Sequence, residues 1–310
     1  MKLIVLAGGS GFLGRELASH FAVRGYEVAI LTRSPGRSKS EQREAKWDGC
    51  NLGAWQRELN GALAVINLTG KSVNCRYNAA NRKEILESRV NSTRVIGHAI
   101  GQCAEPPKVW LNASTATVYR HTFGKAWDEN GETEGSDEAK DKFSVEVAWA
   151  WEKALQDATT PRTRKIALRT SMVLGLGHNS VFPVLRRMTK LGLGGKVSTG
   201  RQFVSWVHAL DYCRAIEWLL TNEELTGPVN ITAPNPLTNS EMMRTLRQIC
   251  HMPLGLPASG WMLEMGAFLL RTETELILKS RRVIPGRLLE SGFVFEFPNI
   301  RQAFENLNAR

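Results

Sequence analysis

Two stretches of this chain have residue types and spacing that could do chemistry. The first is Gly8-Gly9-Ser10-Gly11-Phe12-Leu13-Gly14, with G-x-x-G-x-x-G spacing. It lies between an apolar run at 2–7 and a segment at 15–24 whose Leu17, Ala18, Phe21 and Ala22 recur at helical spacing. A strand that passes through glycines into a helix makes an anion site. The first helical turn offers unpaired N–H groups and the positive end of the dipole, and glycine lets a pyrophosphate reach the backbone. Gly8, Ser10, Gly11, Phe12, Leu13 and Gly14 are the expected contacts. A glycine-rich structural turn is the competing reading, but Gly25 ending the helix and a second strand at 27–32 complete the βαβ unit that the motif requires.

The second stretch is Ala113-Ser114-Thr115-Ala116-Thr117-Val118-Tyr119, which follows an expected strand at 108–112. Ser114 or Thr115 could polarise a carbonyl, and Tyr119 could donate a proton; ordinary turn hydroxyls are the alternative. Between the two stretches, Thr32-Arg33-Ser34-Pro35-Gly36-Arg37 stands where an acidic residue would bind the ribose 2′-hydroxyl of NAD. No acid is there. Arg33, with Arg37 behind it, could pair with a 2′-phosphate, which argues for NADP(H), against the alternative of a solvated loop arginine.

These groups need a sheet to position them. The apolar run at 62–68 ends in Asn67-Leu68-Thr69-Gly70, and in a doubly wound sheet the ligand lies across such strand ends, so Leu68, Thr69 and Gly70 should approach the cofactor. A long helix is expected at 78–100, with Ile85, Val90, Val95 and Ile96 inward and Glu84 and Arg89 as helix charges. Further strands are expected at 166–174, 203–208 and 228–232, and the alternating Phe293, Phe295 and Phe297 read as one more. A basic helix at 181–190 leads to glycine-punctuated loops in which Arg201 is the favoured contact for a substrate phosphate or carboxylate. The mixed-charge segment at 127–142 reads as a loop that could act as a lid. The apolar run at 261–270 reads as a short helix packed over the substrate cleft, a membrane-surface or dimer contact being the alternative.

With 310 residues, 43% of them hydrophobic, the chain can bury a large core. Its 40 Lys and Arg against 30 Asp and Glu give a net charge of +10, which suits an acidic ligand. Nucleic acid is disfavoured, because no run of five or more like charges, zinc-finger spacing or basic stripe with interleaved aromatics is present. The five scattered cysteines contain no C-x-x-C pair and fit a reducing cytoplasm. No run reaches membrane-spanning length.

The glycine turn, the Asn67-Leu68-Thr69-Gly70 strand end and the Ser-Thr-Ala-Thr-Val-Tyr segment resemble the extended, epimerase-like short-chain dehydrogenase/reductases. Arg76-Tyr77, Ser88-Arg89, the segments at 169–175, 191–195 and 202–208, and Ile284-Pro285-Gly286-Arg287 look like the subgroup that ends in a domain of unknown function. The resemblance spans nearly the whole chain. It implies an α/β fold, a doubly wound parallel sheet of the NAD(P)-binding Rossmann kind, with a small, mostly helical C-terminal substrate or lid domain. Expected boundaries are 1–174 plus 201–233 for the first and 175–200 plus 234–310 for the second.

The resemblance also implies that Thr32, Arg33, Leu68, Thr69, Glu84, Arg89 and Val173 contact NADP(H), and that Thr115 sits where the family's substrate-polarising hydroxyl stands. Expected partners are a small polar or acidic substrate and a second copy of the chain, with no nucleic acid and no membrane. One feature departs from the family pattern. Its Tyr-x-x-x-Lys pair, in which tyrosine is the general acid/base and lysine lowers its pKa, is missing: Ser144 and Ala148 take those positions. An enzyme acting on a small carbonyl or alcohol and a non-catalytic NADP(H)-binding protein are both left open.

Overall fold

The computed structural model describes residues 2–36, 42–139, 141–258 and 279–309. Arg37 and the apolar run at 261–270 therefore lie outside the described residues. Six of the apolar runs become strands of a continuous parallel sheet, and a short polar strand, Arg43–Lys46, adds a seventh at one edge. In chain order the elements are β1 (Leu3–Ala7), α1 (Phe12–Val23), β2 (Glu27–Thr32), β3 (Arg43–Lys46), β4 (Ala64–Asn67), α2 (Ala79–Gln102), β5 (Val109–Thr115), α3 (Lys142–Gln156) and β6 (Arg164–Thr170). There follow β7 (Met172–Leu174), α4 (Val181–Met188), β8 (Phe203–Val204), β9 (Trp206–His208), α5 (Ala209–Thr221), β10 (Gly227–Ile231), β11 (Leu237–Thr238), α6 (Asn239–Ile249), α7 (Gly286–Glu290) and α8 (Ile300–Asn308).

The main sheet has seven strands in the order β10-β6-β5-β4-β1-β2-β3, all parallel. From β1 the chain winds outward to β2 and β3, then crosses back to build β4 on the other side. That reversal opens a crevice at the carboxyl ends of β1 and β4, where such sheets hold ligands. Strand side chains alternate between two apolar layers, as buried parallel strands require. Ile4 and Leu6 pack with Leu17, Phe21 and Ile216 beneath α1 and α5. Val5 and Ala7 pack with Trp110, Val95 and Ile96 on the face covered by α2 and α3. A third cluster joins Phe182, Trp206, Met242, Leu246 and Phe304 from α4, β9, α6 and α8.

Several sequence expectations need correcting. β5 continues through Thr115, so Ser114 and Thr115 are strand residues in register with Arg169 and Thr170 of β6. The run at 166–174 is two strands, because after Thr170 the chain leaves the main sheet and β7 pairs with β9. The 203–208 segment likewise divides, β8 pairing with β11 instead. Phe293, Phe295 and Phe297 are buried but form no strand, so their alternation reflects burial and not a ladder. The 127–142 loop is tied down: Trp127 donates its N–H to the Arg282 carbonyl (2.7 Å) and accepts from the Ile284 N–H (2.9 Å).

The glycine turn depends on close backbone approach. Gly8 has φ +74°, and a Cβ there would lie 3.1 Å from backbone atoms of Leu68 and Thr69. A Cβ on Gly14 would run into the Cα and carbonyl of Gly9. Gly11, the N-cap of α1, is under no such pressure, with Gly8 O at 3.6 Å as the nearest atom to an added Cβ. Gly14→Ala should therefore lose about 1–3 kcal/mol of stability by overpacking, and Gly11→Ala less than about 1 kcal/mol. Urea denaturation of both variants checks this; equal losses would contradict the assignment.

Candidate functional site

The first turn of α1 has no side-chain cap and no acidic residue, which keeps its amide end suited to an anion. Arg15 donates to the Ser10 carbonyl (2.6 Å) and steadies the turn. Phe12 faces the loop after β7, where a Cβ on Gly175 would come within 2.7 Å of its ring. Leu13 instead lines a cavity of about 270 Å³ that lies at the carboxyl ends of β4, β5 and β6. Leu68, Arg89, Ser114 and Thr115 line it too, so the structure brings these five predicted residues together. Tyr77, Phe143, Ser144, Val147 and Trp151 form the wall toward α2 and α3.

Several details of this crevice suit a dinucleotide. Thr69 Oγ1 is buried with no hydrogen-bond partner. The Arg89 guanidinium lies flat against Gly70, where an added Cβ would sit 3.0 Å from Cζ. Arg89 donates to the carbonyls of Lys71 (3.1 Å) and Ile85 (2.9 Å) and stacks 5.0 Å from the Trp151 ring. Burial holds its pKa down at about 10, with the nearby Tyr77 and Cys75 acting in the opposite sense, so it stays a cation at neutral pH. Thr32 ends β2 with its Oγ1 accepting from the Ser34 N–H (3.4 Å), and Arg33 beyond it is exposed.

Other predicted residues stand apart from the cavity. Glu84 is exposed and ion-paired with Lys71. Val173 pairs with Val207 between β7 and β9. Arg201 is exposed, its guanidinium 6.0 Å from the Phe123 ring. His208 caps α5, its Nδ1 accepting from the Leu210 N–H (3.0 Å), which is a packing role.

The hydroxyl stretch is only partly available for chemistry. Tyr119 is a correction: it is buried, gives its proton to Asn230 Oδ1 (2.8 Å) and accepts from Arg169 (2.9 Å). Burial pushes its pKa up to about 12 against the pull of Arg169, so it is a packing residue and not a proton donor to the cleft. Ser114 donates to the buried carboxylate of Glu152 (2.6 Å), which is also held by Arg169 through two bonds of 2.9 and 2.8 Å. Its hydroxyl therefore meets the cavity as an acceptor. Among the described residues, the Thr115 hydroxyl bonds its neighbour Thr117, donating to Oγ1 (3.0 Å) and accepting from the N–H (3.1 Å). On α3, Lys153 pairs with Asp157 (3.0 Å), and both Lys153 and Trp149 are exposed. Nothing in the sequence joins Glu152 on α3 to Arg169 on β6; only the fold pairs them.

The model of the NAD dependent epimerase/dehydratase family matches residues 4–232. This chain belongs to that family. A domain of unknown function, DUF1731, matches residues 258–307. Relatives of this family member include epimerase family protein YfhF of Bacillus subtilis, 30% identical over 309 residues, spanning 99% of this chain and 98% of that protein. Bovine epimerase family protein SDR39U1 is 29% identical over 310 residues, spanning 99% of each. Among solved structures, human SDR39U1 crystallised with NADPH superposes with a TM-score of 0.87 at 26% identity, covering 99% of both chains. A UDP-N-acetylglucosamine 4-epimerase from Bacillus cereus, at 19% identity and TM-score 0.77, shares the fold.

The shared carboxylate yields a graded expectation. Glu152→Gln leaves buried Arg169 without its counter-charge and should cost about 3–5 kcal/mol. Ser114→Ala leaves both Arg169 bonds in place and should cost about 1 kcal/mol. Urea denaturation checks the order, and a Ser114→Ala loss equal to that of Glu152→Gln would contradict it.

Proposed function

We propose that this family member binds NADP(H) at the glycine turn and acts as an oxidoreductase or epimerase-like enzyme on a small polar carbonyl or alcohol. The observation that carries the reading is the continuity of the uncapped, acid-free N-terminus of α1 with the hydroxyl-lined cavity, both sharing Leu13. The human relative crystallised with NADPH supports the choice of nucleotide. So does Arg33, an exposed cation at the end of β2 where a 2′-phosphate would lie.

A bound nicotinamide supplies a carrier that gives hydride to a carbonyl carbon or takes it from an alcohol carbon. The chain's own residues do the rest. Amides at the start of α1 would hold the pyrophosphate, with open space beside Gly11 to admit it. Thr69 Oγ1 gains a partner, and Arg89 sits over the Gly70 strand end as a fixed positive charge. Thr115 can turn its hydroxyl from Thr117 to a substrate oxygen, while Ser114, its proton already held by Glu152, accepts from a substrate donor.

A second reading, an NADP(H)-binding protein without turnover, is favoured by one observation: Ser144 and Ala148 replace the family's tyrosine and lysine. Assaying NADPH oxidation with a panel of aldehydes, ketones and nucleotide sugars separates the two. Binding itself is tested by titration. NADPH should bind at least ten-fold more tightly than NADH, about 1.4 kcal/mol, and Arg33→Ala should erase that ratio while Gly11→Ala weakens both. Equal affinities in the wild type would remove the role given to Arg33.

A further inference from the structure

The cavity contains few groups that could move a proton. Of its lining residues, those that titrate are Tyr77, Tyr212 and Arg89. Tyr212 is fully buried beneath the floor, and burial drives its phenol strongly upward. Ser114 has its proton on Glu152, and Tyr119 is turned to Asn230. Tyr77 is different. It belongs to the segment between β4 and α2, is only partly buried, and packs edge-on against Phe143 with ring centroids 5.2 Å apart. Phe143 is the neighbour of Ser144, which lines the same cavity from α3.

We propose that Tyr77, which lines the cavity together with Arg89, is the proton-transfer residue of this cleft, a phenol reaching from the α2 side the space that Ser144 leaves on α3. Several cations surround its segment. Arg76 and Arg82 flank it in sequence, and Arg82 stacks 4.7 Å from the Phe143 ring. Lys71 is paired with Glu84. Cys75 and Arg89 complete that side, and both Tyr77 and Cys75 are felt electrostatically by the Arg89 guanidinium. From α3 come Phe143 and Ser144, with Lys142 engaged by Asp137 (2.8 Å) and Glu146 exposed. A cation beside a phenol stabilises the tyrosinate and draws its pKa toward neutrality, the condition for a general acid/base.

The step balances within the proposed function, on which it rests. Tyr77 passes its phenolic proton to a carbonyl oxygen as the carbonyl carbon accepts hydride from the reduced nicotinamide dinucleotide. The C=O π pair becomes the new O–H bond, the carbon gains two electrons and the dinucleotide loses them. Arg89 holds the tyrosinate until water returns a proton. Oxidation of an alcohol runs the same transfers backward.

Titrating the phenol needs neither cofactor nor substrate, so it tests Tyr77 separately from the cofactor reading. The chain has four tyrosines, and the ultraviolet difference between wild type and Tyr77→Phe across pH isolates one of them. That phenol should ionise at least one pH unit below the ordinary value of about 10. In an Arg89→Gln background it should move up by a unit or more. Ionisation at or above about 10, or indifference to Arg89→Gln, overturns the proposal. On a carbonyl that the wild type reduces, Tyr77→Phe should lower kcat at least a hundred-fold with unchanged NADPH affinity, and full turnover would equally overturn it. A wild type that fails to bind NADPH would instead sink the cofactor reading, with the phenol titration still deciding whether Arg89 tunes Tyr77.

Discussion

The structure depends first on backbone meeting backbone without side chains between. Gly8 lets the exit of β1 lie against Leu68 and Thr69 at the end of β4, and Gly14 lets the first turn of α1 settle onto Gly9. Both contacts lie at the point where the strand order reverses. A methyl group at either position would push α1 away from the sheet, and with it the amides that face the crevice. Leu13 belongs to that same first turn and also walls the cavity, so the uncapped amide end of α1 and the cavity share one rigid element. The account of binding follows from this constraint.

Behind the cavity, a chain of buried polar groups spends the hydroxyls that looked reactive. Glu152 joins Ser114 to Arg169, Arg169 joins Tyr119, and Tyr119 joins Asn230. Asn230 in turn donates its N–H to Glu129 (2.8 Å) and its side-chain amide to the Ile284 carbonyl (3.0 Å). Glu129 also receives the Arg287 N–H (3.1 Å), so the network ends by pinning the segment that carries α7. Nearby, buried Lys279 is paired with Asp141 and donates to the Thr117 carbonyl (2.6 Å), fixing the turn after Thr115. Charges buried this way are costly unless fully partnered, and here they are bonded to one another. The price is that the Tyr119 and Ser114 hydroxyls donate into this network and not into the cavity.

How much of this could be read from sequence follows from the range of each interaction. The glycine turn was legible because its requirement is local: strand, glycines and helix adjoin within a few residues. The strand end at Leu68-Thr69-Gly70 and the burial of Ile85, Val90, Val95 and Ile96 were legible from pattern, since periodicity records a face. The role of Tyr119 was not, because the residue that takes its proton is 111 positions away. Phe293, Phe295 and Phe297 misled for a related reason: alternating burial does not require a partner strand. Arg89 was named for cofactor binding, whereas its neighbour Tyr77 appeared only as part of a family motif. What marks Tyr77 is the company of Arg89 and Phe143, which only the fold assembles.

The central claim is that one crevice seats a dinucleotide on α1 and presents its reactive end to Thr115 and Tyr77. A crystal structure of the protein grown with NADPH tests it most directly. The account predicts the pyrophosphate against the amides of Gly11 to Gly14, the 2′-phosphate beside Arg33, and the nicotinamide facing the cavity between Thr115 and Tyr77. A nicotinamide turned out of that cavity, or a dinucleotide bound away from α1, would contradict it.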